Sequence, residues 1–129
     1  MTPSAEERDA LFKQFGRAFF KQDLDAMYKV VTADFTYSIL IHDTPRIMKT
    51  REAVTAFFKE RKGIQRDVRF EDVVFHHAAD ATFMTYRVTG IDVATDTPFE
   101  RVGVERYTFR DGKIAEKDVY SRPTLQAAA

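Results

Sequence analysis

Cysteine is missing from this chain of 129 residues, and its absence removes disulfides, thiolate nucleophiles and cysteine-bound zinc from consideration. Tryptophan is missing as well. Net charge is absent: twenty Lys and Arg balance twenty Asp and Glu. That balance argues against a nucleic-acid partner and leaves no basic segment for a membrane surface. No apolar run approaches the roughly 18 residues of a spanning helix, and the first twenty residues carry too much charge for a secretory signal, so the expected location is the cytoplasm. The length suits one domain, taken as residues 1–129 with a core over about 8–122 and a frayed tail at 124–129. What the chain does have is rings. Twelve Phe and five Tyr exceed what helix packing usually demands, and predict a concave surface lined with aromatics.

Helical signals come first. Ser4 and Glu7 form a capping box, after which Leu11, Phe12, Phe15, Ala18 and Phe19 recur at helical spacing. Asp23 caps a second, short helix carrying Leu24, Met27, Tyr28 and Val31 on one side. The period then changes to two over 35–41, which reads as a strand. Residues 42–49 carry Pro45 and no clean period; Thr50 caps a third helix with Val54, Phe57 and Phe58 inward, and Gly63 is placed to end it. Strands are predicted over 68–77, 81–93, 99–110 and 113–121. Asp111-Gly112 suits a two-residue hairpin turn. Helices followed by a meander describe an α+β layer fold.

If that turn holds two residues and the ladder is regular, Phe109 opposes Ile114, Tyr107 opposes Glu116 and Glu105 opposes Asp118. Gly103, Glu105, Tyr107, Phe109, Ile114, Glu116, Asp118 and Tyr120 then share a face. Were it the buried one, burial and mutual repulsion would raise a carboxyl pKa into the range of a general acid or base. The alternative has Val102, Val104 and Val119 in the core and the acids in water. A β-bulge would shift Asp118 relative to Glu105. His76 and His77 are adjacent in a strand and point to opposite faces, so at most one reaches a cavity. No spacing suggests a metal site, and no cofactor is expected.

Several strings, taken in order, resemble the superfamily of nuclear transport factor two, SnoaL-like polyketide cyclases and ketosteroid isomerase. They are residues 18–26 (AFFKQDLDA), 32–37 (TADFTY), 50–54 (TREAV) and 109–114 (FRDGKI). The resemblance spans about 8–122. It implies a cone-shaped, curved, mostly antiparallel sheet wrapped around the N-terminal helices, a cystatin-like α+β roll with an internal pocket, and a homodimer through the sheet. Tyr37 and Arg87 fall where limonene epoxide hydrolases keep an active-site tyrosine and arginine. That family's two acids correspond here to Thr89 and Val119, with Asp118 one residue away, and Ile39 replaces its asparagine, so its mechanism transfers only if a bulge lets Asp118 substitute. Phe12, Phe15 and Phe19 stand where ketosteroid isomerase would want a phenol. The reading that follows is a SnoaL-like protein that binds a small apolar, oxygen-bearing organic ligand. It isomerises, cyclises or hydrates that ligand by carboxylate chemistry. Asp118 and Glu105 are the proton-transfer groups, and Tyr37, Arg87, Tyr107, Phe15, Phe19 and Tyr120 contact the ligand. The rival reading is a non-catalytic ligand-binding or dimeric association domain.

Overall fold

The computed structural model describes residues 2–41 and 44–124. Helix α1 (Ala5–Lys21) starts on the expected capping box, with Ser4 accepting from the Glu7 amide and Glu7 from the Ser4 amide, and buries Arg8, Phe12, Phe15 and Ala18. Gln22, in the left-handed region, closes it. Asp23 caps α2 (Leu24–Met27), whose Met27 enters the core. Helix α3 (Arg51–Ile64) begins at Thr50 and buries Val54, Phe57 and Phe58. It runs one residue past Gly63, which does not adopt the positive φ of a terminating glycine.

Six strands form one sheet: β1 (Val31–Ile41), β2 (Thr44–Met48), β3 (Gln65–His77), β4 (Thr82–Asp92), β5 (Thr97–Arg110) and β6 (Lys113–Pro123), in the order β2-β1-β6-β5-β4-β3. All pairings are antiparallel except β1 with β6. The sheet is curved and unclosed, and it meets the helices on its inner face. Strand β2 lies where no period was legible. It pairs with β1 from Tyr37 opposite Met48 to Ile41 opposite Thr44, and its edge position is what allows Pro45 within it. His42 and Asp43 lie outside the described residues, as do the tail residues 125–129.

Curvature has local causes. In β3 the register slips between Arg66 and Arg69 and again between Glu71 and Val74, and Asp67 and Asp72 sit there with φ of 55°. Bulges of this kind bend a strand and increase its twist. The β5–β6 hairpin turns on Asp111 and Gly112, both at positive φ, as the expected tight turn requires. A further slip lies just beyond it. Thr108 pairs with Glu116 while Phe109 pairs with Ile114, which leaves Ala115 without a partner.

Candidate active site

That unpaired alanine decides the chemistry of the inner face. On β5 the expected alternation holds: Glu105 and Tyr107 are 3% and 2% exposed, while Val104 faces outward. On β6 the extra residue reverses the parity beyond it, so Lys117 and Val119 point inward and Glu116 and Tyr120 outward. Glu105 therefore stands opposite Val119, and Tyr107 opposite Lys117. The expected pair of Glu105 with Asp118 is not formed. Asp118 lies opposite Arg106 on the outer side, half-exposed, and its carboxylate accepts from the Tyr120 hydroxyl at 2.7 Å. Tyr120, more than half exposed, is likewise no part of the interior.

Arg87 is also outside. It alternates with the buried Tyr86 and Val88 on β4, and its guanidinium pairs with Glu71, with Asp72 at 3.2 Å and with Glu100 at 3.8 Å. Those carboxylates hold its charge firmly and raise its pKa. The two histidines bond to neighbouring hydroxyls: His76 meets Thr85, and His77 meets Thr82 and the Asp9 carboxylate.

What the interior does hold is a compact polar cluster walled by rings. The Lys117 ammonium lies 3.6 Å from Glu105 Oε1, and the Tyr107 hydroxyl donates to that same carboxylate oxygen. Around the ammonium stand Phe19, with its ring centre at 3.6 Å, Tyr37 at 4.8 Å and Phe15 at 5.3 Å. Tyr37 is positioned by sheet pairing, since it lies beside Lys117 in the parallel β1–β6 ladder. Burial pushes the Lys117 pKa down, and Glu105 only partly offsets that. Burial and the Glu105 charge push the phenols of Tyr37, Tyr86 and Tyr107 up, so each stays a protonated hydrogen-bond donor across the ordinary pH range.

Two cavities meet at this cluster, and Phe19, Phe70 and Glu105 line both. One, of about 120 Å³, is walled by Phe12, Phe15, Phe75, Met84, Tyr107 and Lys117 among others. The larger, of about 410 Å³, is lined by Tyr37, Arg61, Gln65, Tyr86, Arg101 and Val119 among others. Its size falls within the roughly 300–1,000 Å³ of small-molecule sites. Gln65 Oε1 is buried there without a hydrogen-bond partner among the described residues. Tyr86 reaches its place because residue 103 is glycine: a Cβ on Gly103 would come within 2.4 Å of the Tyr86 hydroxyl oxygen.

Of the residues proposed from sequence, Glu105, Tyr107, Tyr37, Phe15 and Phe19 come together, and Asp118, Arg87 and Tyr120 do not join them. The reading missed Lys117, Tyr86, Arg61, Gln65 and Arg101. One signal was present for Lys117: it alternates with Ala115 and Val119, a lysine at the centre of an apolar face.

The SnoaL-like domain model matches residues 12–117. The chain belongs to the SnoaL-like domain family. No functionally curated protein matches it. Among solved structures, this SnoaL-like domain is similar to an NTF2-like protein from Burkholderia xenovorans LB400 (19% identity, TM-score 0.80, 92% of each chain covered). It is similar also to a candidate polyketide cyclase from Xanthomonas campestris pv. campestris (20% identity, TM-score 0.73, 89% of this chain and 90% of that one). A third is a hypothetical protein with a ketosteroid isomerase-like fold from Catenulispora acidiphila DSM 44928, in complex with trimethylamine (18% identity, TM-score 0.70, 93% and 86% covered). At these identities the likeness is one of fold, and fold alone names no reaction.

Proposed function

We propose that this SnoaL-like domain binds a small, largely apolar molecule bearing a carbonyl oxygen and moves a proton on it, as an isomerase or cyclase would, with Glu105 as the proton-transfer group. The observation that carries this reading is the buried carboxylate of Glu105 at the junction of two cavities, held by Tyr107 and faced by Lys117. Stability alone is a poor reason for such a cluster. Opposite charges about 4 Å apart attract by about 4 kcal/mol at the effective dielectric of a protein, while desolvation costs several kcal/mol per ion. Apolar side chains would fill the space at no greater cost. A carboxylate kept dry and compensated by an ammonium is suited to take a proton from carbon beside a carbonyl group. Tyr37 and Tyr86 line the larger cavity, and among the described residues neither hydroxyl has a hydrogen-bond partner, so both are free to donate to the carbonyl oxygen as charge develops on it. The candidate cyclase among the solved structures is consistent with this reaction class.

The test follows α-proton exchange of cyclic ketones of graded size in D₂O by proton NMR. The native protein accelerates exchange for at least one ring size, and Glu105→Gln loses that acceleration by about 100-fold or more. Saturable binding with no exchange above buffer would leave the rival reading, a ligand-binding domain without catalysis. Val104 and Tyr120 on the outer sheet face are exposed, which supports pairing of two copies through the sheet; sedimentation equilibrium of Val104→Glu against the native chain reads that directly.

A further inference from the structure

We infer that Lys117 is a nucleophile, the site at which an aldehyde or ketone entering the smaller cavity forms an imine with the protein; this rests on the carbonyl-ligand reading above. The remaining seven lysines are all exposed. Lys117 is 2% exposed, and it lines a cavity whose wall is otherwise almost entirely aromatic and aliphatic. Such a cavity concentrates an apolar carbonyl compound beside the amine and excludes the water that hydrolyses imines. Burial favours the neutral amine, the form that attacks carbon, even though Glu105 and the rings at 3.6, 4.8 and 5.3 Å favour the ammonium.

Glu105 supplies the proton transfers. Glu105, 3.6 Å from the Lys117 ammonium, takes one of its protons and leaves the neutral amine. The amine nitrogen bonds to the carbonyl carbon, the C–O π pair moves to oxygen, and that oxygen takes the proton Glu105 holds. Glu105 then takes a second proton from nitrogen, giving a carbinolamine, and delivers it to the hydroxyl, which leaves as water as the C=N bond forms. One carbonyl compound and one ammonium thus give one iminium and one water, with no oxidant or reductant. The resulting iminium sits against the Glu105 carboxylate as the ammonium did.

The probe is 2,4-pentanedione, a 1,3-diketone that condenses with a free amine to a stable vinylogous amide with its own near-ultraviolet band. At neutral pH the native protein is expected to gain one adduct, mapped by peptide mass spectrometry to Lys117 and formed at least about tenfold faster than at any exposed lysine. Cyclohexanone in excess should slow that labelling without affecting the exposed lysines, and Lys117→Arg should abolish the fast phase. Because arginine at a buried site can compromise folding, the peptide map and the competition in the native protein are decisive by themselves. Labelling spread over exposed lysines with none at Lys117 overturns the inference. If ketone exchange depends on Glu105 while Lys117 stays unlabelled, imine formation fails and the proton-transfer reading stands. The reverse pattern supports the inference and removes the exchange chemistry.

Discussion

Among the described residues, Arg8 holds a buried charge without any carboxylate beside it. Its guanidinium donates instead to the backbone oxygens of Pro3 (2.9 Å), Ala78 (2.6 Å), Ala79 (3.0 Å) and Ala81 (3.2 Å) and to the Thr82 hydroxyl (3.2 Å), and it stacks over Phe109. One side chain therefore ties the first turn of α1 to the β3–β4 turn. Removing it strands several carbonyls, so Arg8→Ala should cost about 3 kcal/mol, read as a lower urea midpoint with unchanged slope. Gly103 acts by what it lacks. In Gly103→Ala the new methyl group displaces the Tyr86 ring, which lies over β5, and the expected loss is about 1–3 kcal/mol in the same titration. Neither role was legible beforehand: nothing in the neighbours of Arg8 in sequence announces carbonyls some seventy residues away.

At the scale of elements, the sequence reading framed β5 and β6 as a choice between two faces, acids inward or valines inward. The molecule takes half of each. Glu105 faces in while Val104 faces out, yet Val119 faces in while Asp118 faces out. Ala115 is the reason, since one extra residue on β6 inverts the side-chain parity of everything after it. Deleting Ala115 removes the unpaired residue itself and leaves a regular ladder in which Ile114 still faces Phe109, Glu116 faces Thr108 and Lys117 faces Tyr107, so the parity of the remaining strand is unchanged. What is lost is a buried alanine and the local bend. The expected outcome is a chain that still unfolds cooperatively in urea by circular dichroism, with stability lower by about 1–3 kcal/mol. A deletion variant with no cooperative transition would contradict this register. Capping boxes and the Asp111-Gly112 turn were readable because their causes lie within four residues. The short strand β2 was not, because it exists only through pairing with β1.

For the whole molecule, the buried phenols make stability sensitive to alkali. Tyr37, Tyr86 and Tyr107 have folded pKa values above the ordinary value of about 10. The unfolded chain therefore releases these protons first as pH rises. The linked stability is fully present below pH of about 10 and is lost progressively above it. A spectrophotometric titration should show these three phenolates appearing only together with loss of the folded circular dichroism signal. Phenolate absorbance from all three in a chain that remains folded would contradict their burial.

Sequence by itself determined the order of helices and strands, the aromatic lining and the family, because periodicity, caps and turn residues act over a few neighbours. It also brought Glu105, Tyr107, Tyr37, Phe15 and Phe19 forward as site residues. The tertiary structure alone decided which charged partner Glu105 meets. That depends on strand register, and register is set by the combined pairing of β1, β5 and β6 around one unpaired alanine, an energy that no local stretch of chain contains.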